Sequence, residues 1–205
     1  MTLYGYDIET TGVRPYSSEI VTIQYKRDST GLSIYKRWEY ESERELLLAF
    51  LNDWKDIPRA RSRGAEEFIA FNVLKFDAPF LLVKAQQHDI ASASGWEDKY
   101  VWENISHGPP FVDLAQLLGD DMKKFAEWRN CLIGSYGDYE SKRIPEFYQR
   151  DDYEKIEEYV EDEMDTLEQI YQEIQNEPFY KELQDLRETA ELDWKNRDNS
   201  TLSDF

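Results

Sequence analysis

Asp7-Ile8-Glu9-Thr10-Thr11-Gly12 closes an apolar, β-rich stretch, Leu3-Tyr4-Gly5-Tyr6. On a strand, side chains two residues apart point to one face, so Asp7 and Glu9 are held side by side on a rigid element. Like charges that close repel, and one of the pair takes up a proton unless a cation intervenes. A hard divalent metal, which prefers oxygen ligands, is the simplest such cation. The plain alternative is a strand end whose acids face water.

Two later segments carry further acids. Asn72-Val73-Leu74-Lys75-Phe76-Asp77 directly follows the apolar run Phe68-Ile69-Ala70-Phe71. Asp77 therefore stands where a strand passes into a helix, at the carboxyl end of a sheet, where open α/β sheets place their sites. A helix N-cap is the competing role for it. Within 152–175, Ile156, Val160, Met164, Leu167, Tyr171 and Ile174 trace one apolar stripe. At about 100° per residue, Glu163 falls near the middle of that stripe and Tyr159 at its edge, while Asp162 and Asp165 turn away. A carboxylate in a core-facing stripe is expensive unless it is paired or binds a cation. A partner Arg or Lys is the competing explanation for Glu163. Tyr159 and Glu163 are also spaced i, i+4, which makes them neighbours on the helix.

The elements that must position these groups read as α/β. Residues 2–9, 20–25 and 32–38 have strand character, and Asp28-Ser29-Thr30-Gly31 supplies turn chemistry for a hairpin between the last two. Ser42-Glu43-Arg44-Glu45 is a capping box opening a helix whose apolar face is Leu46, Leu47, Phe50, Leu51 and Trp54, ended by Pro58. Phe68–Phe71 is short and fully apolar, as in the middle of a sheet. A helix from about Asp77 to Gln87 follows, then a loop at 92–96. Phe111-Val112-Asp113-Leu114 is a last strand running into helix at Leu117. Helices follow over 122–132 and 152–175. A further one, over 178–193, has Phe179, Leu183, Leu186 and Ala190 on one face, and the tail from Asn196 is polar. Three antiparallel-type strands, then alternating helices and parallel strands, predict one mixed sheet with helices on both faces.

Composition narrows the function classes. The chain has 205 residues and a net charge of −19. Residues 151–205 hold 19 acidic and 5 basic side chains, a net −14, which leaves −5 on the first 150. Such acidity argues against loose, charge-driven attachment to nucleic acid, but not against a nucleic-acid enzyme with a neutral or basic groove. One cysteine, Cys131, excludes an internal disulfide and a multi-cysteine zinc site. Neither His88 nor His107 has a second His or Cys at ligand spacing. No apolar run reaches roughly 18 residues, so no membrane span is expected. With no secretory-signal layout, a cytoplasmic location is the expectation.

Taken in order, Asp-x-Glu on a first strand, Asn-x-x-x-Phe-Asp after a central strand and Tyr-x-x-x-acid on a late helix resemble the three motifs of the four-carboxylate (DEDD) superfamily of 3′–5′ exonucleases. That superfamily has a ribonuclease H-like fold. The tyrosine (DEDDy) branch is the closer match, because Tyr159 stands where the other branch has histidine. Val112-Asp113-Leu114-Ala115-Gln116-Leu117-Leu118 and Ile144-Pro145-Glu146-Phe147-Tyr148 also look like the proofreading exonucleases of family B polymerases and their stand-alone relatives. The resemblance covers residues 1–175, an exonuclease domain, and leaves 176–205 as an acidic helix and tail. One position departs from the pattern: the family's fourth carboxylate is usually aspartate, and here it is Glu163, one methylene longer.

The resemblance implies hydrolysis of phosphodiester bonds from a free 3′ end, single-stranded DNA favoured and RNA left open, releasing nucleoside 5′-monophosphates. It implies two Mg²⁺ or Mn²⁺ ions. Asp7, Glu9 and Glu163 would surround one, and Asp7 would bridge to a second supported by Asp77. It further implies that Tyr159 orients the attacking water, that Thr10, Thr11 and Gly12 approach the terminal nucleotide, and that Asn72 and Phe76 line the adjacent groove. A proofreading role would need a polymerase or repair partner in trans. The basic loop 59–64 leads into the end of its strand opposite the site, so Lys123, Lys124, Lys142 and Arg143 are the better candidates for phosphate contacts. Rival readings are a weak or inactive exonuclease-like interaction module, an internally cutting nuclease of the same fold, and a pure binding protein.

Overall fold

The computed structural model describes residues 2–27, 31–54, 66–90, 111–118, 124–137, 141–178, 180–182 and 185. Its strands are β1 (Thr2–Thr10), β2 (Ile20–Arg27), β3 (Leu32–Lys36), β4 (Glu66–Ala70) and β5 (Phe111–Asp113). Its α-helices are α1 (Glu43–Trp54), α2 (Asp77–Gln87), α3 (Leu114–Leu117), α4 (Phe125–Ile133), α5 (Ile144–Gln149) and α6 (Tyr153–Asn176). The sheet order is β3-β2-β1-β4-β5. β1 pairs antiparallel with β2, and β2 with β3, while β4 is parallel to both β1 and β5. This is the mixed sheet expected from the order of elements, in the ribonuclease H-like arrangement that the resemblance implies.

Alternation along β1 decides what each face of the sheet carries. Tyr6 and Ile8 point into a core shared with Leu46, Leu47, Phe50, Leu51 and Trp54 of α1 and with Phe80 and Leu81 of α2. On the opposite face Ile69 of β4 joins Ile144 and Phe147 of α5 and the stripe Ile156, Val160, Met164, Leu167, Tyr171 and Ile174 of α6. Each such side chain contributes about 1.5–3 kcal/mol when fully buried. β4 is apolar on both faces, with Phe68, Ile69 and Ala70 all buried, as a central strand must be. Gly5 shares a face with Asp7. A Cβ there would lie 2.8 Å from Met164 Cε and 3.4 Å from Leu167 Cδ2, so glycine lets α6 lie close on β1.

Two strands end earlier than their apolar character predicts. β3 stops at Lys36, and the 3₁₀ turn Arg37–Glu39 carries Trp38 onto Tyr153, ring centroids 4.3 Å apart and 6° from parallel. β4 stops at Ala70, and Phe71 turns to meet Phe125 at 5.3 Å. In both cases an aromatic contact outside the sheet replaces a further ladder rung. The hairpin turn 28–30, Pro58, the loops 59–64 and 92–96, His107 and Lys123 lie outside the described residues, as do Phe179, Leu183, Leu186 and Ala190. Beyond α6, Tyr180 is buried with its hydroxyl 3.0 Å from that of Tyr171. No helix among the described residues is long and apolar enough to cross a membrane.

The start of α1 is held by more than its cap. Glu45 N–H donates to Ser42 Oγ at 3.2 Å, and the Glu45 carboxylate accepts from Glu41 N–H at 3.1 Å. Glu43, buried, accepts from Ile20 N–H at 2.7 Å and Lys84 Nζ at 3.1 Å, with His88 Nε2 at 2.7 Å. One carboxylate thereby ties β2, α1 and α2 together, and His88 is a satisfied structural residue. Removing its charge strands the buried Lys84 ammonium. Glu43→Gln is therefore expected to cost about 3 kcal/mol, seen as a lower urea midpoint at unchanged slope.

Candidate metal centre

Asp7 and Glu9 stand on the α6 side of β1, and the close approach at Gly5 brings Glu163 of α6 to them. One carboxylate oxygen from each of Asp7, Glu9 and Glu163 lies within 4.8 Å of the others. Asp77 arrives from the opposite direction, in the first turn of α2. It is buried, and its Oδ1 accepts the Ile8 N–H at 3.2 Å, between the two acids of β1. Asp77 stands outside the group of three but lines the same cavity. It is not the N-cap of α2, a position held by Phe76.

The turn that delivers Asp77 is built by a side chain the sequence reading did not single out for this role. Asp113, buried at the end of β5, accepts from Asn72 N–H at 2.8 Å, Leu74 N–H at 3.2 Å and Ala115 N–H at 3.1 Å. It fixes Asn72 in the left-handed region, φ 62°, and caps α3 as well. Such strain in a non-glycine residue persists only where the surroundings impose it, and it is often found at functional sites.

The electrostatics follow from burial and crowding. Burial pushes the Asp7 carboxyl well above its ordinary range, and the charges of Glu163 and Asp77 push it further. Glu9 is raised by burial and then by Glu163 and Asp7. Asp77 is raised by burial to about 7, against the pull of backbone N–H groups. Glu163 is raised by burial, while hydrogen bonds to Tyr159 and Glu9 oppose the shift. The Tyr159 phenol, bonded to Glu163, is held well above its usual value by burial and that neighbouring charge. The Arg129 guanidinium grips both oxygens of Asp162, and its charge opposes the upward shift of Glu163. Asp162 is thus committed to α4, and Glu163 is the helix acid that faces the others.

The donor set fits a hard divalent ion. All three clustered groups are carboxylates, and Glu163 Oε2 is buried without a hydrogen-bond partner. An acceptor buried in that state is costly, and a cation would satisfy it.

A cavity of about 720 Å³ opens over the acids. Phe71, Phe76 and Phe125 and the lysines Lys75, Lys124 and Lys142 line it with Thr10, Gly12 and Asn72. Two of the expected site residues do not line it. Thr11 is used to close the β1–β2 loop: its Oγ1 accepts from Glu19 N–H at 2.8 Å, and its N–H donates to Glu19 O at 2.9 Å. Tyr159 is buried beside the cavity, with its phenol bonded to Glu163, which lines it. Gly12 has an internal reason as well: a Cβ there would lie 2.8 Å from Ser18 Oγ. Of the basic residues expected at phosphates, Lys124 and Lys142 line the cavity, whereas Arg143 stacks on Phe147 at 4.6 Å. Gln24 was missed altogether. It is fully buried, and its Nε2 donates to Asp7 Oδ2 at 2.7 Å.

No protein-family model and no curated protein matches the chain. Among solved structures it is similar to the family B DNA polymerase of the hyperthermophilic archaeon Pyrobaculum calidifontis. That match has a TM-score of 0.61 and 14% identity, over 85% of this chain and 24% of the polymerase. E. coli exonuclease I in complex with a 5cy-dA13 oligonucleotide matches at a TM-score of 0.40 and 13% identity, over 57% of this chain and 29% of that one. The chain thus spans about a quarter of the polymerase's length. At 14% identity the likeness to the polymerase is one of fold.

Proposed function

We propose that this chain is a metal-dependent 3′–5′ exonuclease of the DEDDy type that releases nucleoside 5′-monophosphates from single-stranded nucleic acid. The observation that carries the reading is the convergence of Asp7, Glu9 and Glu163 within 4.8 Å, from opposite ends of the chain, under a cavity lined by aromatics and lysines. Asp7, Glu9 and Glu163 would hold one Mg²⁺ or Mn²⁺, and Asp7 with Asp77 a second. Bound there, the ions supply Lewis acidity at an attacking water and at the leaving oxygen of the phosphodiester.

The rest is the work of the protein's own side chains. Tyr159 fixes the Glu163 carboxylate through its phenol, a positioning role set by its burial behind the acid. Phe71, Phe76 and Phe125 offer faces on which unpaired bases stack, a sequence-tolerant contact worth about 1–3 kcal/mol per base. Lys75, Lys124 and Lys142 bring positive charge to the wall of the groove beside its acids, where they would meet phosphate. Thr10, Gly12 and Asn72 line the groove with the acids, where they would meet a terminal nucleotide. DNA is favoured over RNA on the likeness to a DNA polymerase.

A timed digest of 5′-labelled single-stranded DNA tests the reading. With Mg²⁺ or Mn²⁺ a ladder shortening from the 3′ end is expected, with EDTA none, and a circular single strand should stay intact. Cutting of the circle, or an unchanged linear strand in both metals, would overturn it.

A further inference from the structure

We infer that Gln24 is a positioning residue of the metal centre: its buried side-chain amide holds one oxygen of Asp7 and thereby fixes the rotation of that carboxylate for a divalent ion. The inference rests on the reading of Asp7, Glu9 and Glu163 as metal ligands.

The register of the sheet places it there. In the antiparallel β1–β2 pair, Asp7 lies opposite Gln24, Glu9 opposite Thr22 and Gly5 opposite Lys26. Cross-strand partners share a face, so Thr22, Gln24 and Lys26 form a row beside the acids, beneath α6. Gln24 is fully excluded from solvent, with Nε2 2.7 Å from Asp7 Oδ2. Its other amide atom, Oε1, is buried with no partner. A side chain that leaves one polar atom unsatisfied to present the other is held by something, and Asp7 is what it meets. Turning the amide over would set Oε1 against a carboxylate oxygen.

The chemistry of the choice is specific. The same row carries a lysine at position 26, and that lysine pairs with Asp165 and Glu168 on α6. A lysine at 24 would neutralise Asp7 and compete with a metal ion. An amide donates a hydrogen bond without cancelling the charge. Ligating carboxylates are commonly oriented by such hydrogen bonds, and losing one typically lowers metal affinity about 10–100-fold.

The test is Mn²⁺ titration calorimetry at pH 8 on the full chain, with melting in EDTA as a second readout. Gln24→Met keeps the volume and removes the donor. It should bind Mn²⁺ about 10–100-fold more weakly while melting in EDTA close to wild type, since removal of the unpartnered Oε1 offsets loss of the hydrogen bond to Asp7. Gln24→His, which keeps a ring N–H donor, should recover affinity to within a few-fold. Wild-type affinity in Gln24→Met overturns the inference. So does an equal loss of affinity and melting temperature in both variants, which marks a packing role. Asp7→Asn separates the two levels of argument: if it binds Mn²⁺ as well as wild type, or if wild type binds none, the metal reading itself falls.

Discussion

Asp7→Asn is expected to lower the proposed metal-dependent release of nucleotides by at least about ten-thousandfold, about 5 kcal/mol of transition-state stabilisation. The size follows from position. Asp7 is the acid common to both proposed ion sites, so its loss weakens two Lewis acids together. Asparagine keeps the shape and one carbonyl acceptor for Gln24, so the loss cannot be assigned to a collapsed strand. The same substitution should raise the melting temperature of the protein in EDTA at pH 8. Burial and the charges of Glu163 and Asp77 oppose the ionised form of Asp7, and the amide removes that opposition. Opposite signs for activity and stability are the signature of a site that stores repulsion for a ligand. A variant that stays within tenfold of wild-type activity, or that melts lower in EDTA, would contradict this account.

The architecture and the four acids were legible because their signals are local. The i, i+2 spacing in β1 and the 3.6-residue repeat of α6 each state which face a side chain occupies, and the helical repeat was enough to separate Glu163 from Asp162. Asp77 was legible from its place after an apolar strand. What was not legible depends on pairings between distant segments. Gln24 reads as an ordinary polar residue of a strand until the register sets it against Asp7. That register in turn depends on the 11–19 loop and on an irregularity between Glu9 and Thr10. Such bulges are frequent beside active sites and cannot be read from composition. Asp113 reaches three backbone N–H groups, two of them about forty residues away, and Glu43 finds Lys84 on a helix face that would otherwise pass for a surface. Thr11 was expected to bring backbone near a terminal nucleotide; its contacts with Glu19, which close the loop, likewise depend on a partner eight residues away.

Protons and the proposed metal ions would compete for the same oxygens in this site, and that competition sets a second large effect. In the unfolded chain the four acids ionise near their ordinary values, roughly 4. In the fold each is raised, Asp77 to about 7. Between those limits the native protein keeps protons that the unfolded chain has released, so stability falls as pH rises. The contribution is fully present below about pH 4 and is lost as pH climbs through the folded values. For Asp77 alone the shift from 3.8 to about 7 corresponds to about 4 kcal/mol. Asp7, Glu9 and Glu163 act in the same direction. In EDTA the urea midpoint should therefore drop steadily from pH 5 to pH 8. If Mn²⁺ binds the folded state alone, a hundredfold excess over its dissociation constant would restore about 2.7 kcal/mol. That restoration should be large at pH 8 and small at pH 5, where protons already occupy the carboxylates. A flat profile in EDTA, or equal Mn²⁺ stabilisation at both pH values, would mean that the acids carry no such burden and that the cavity floor is not built for a cation.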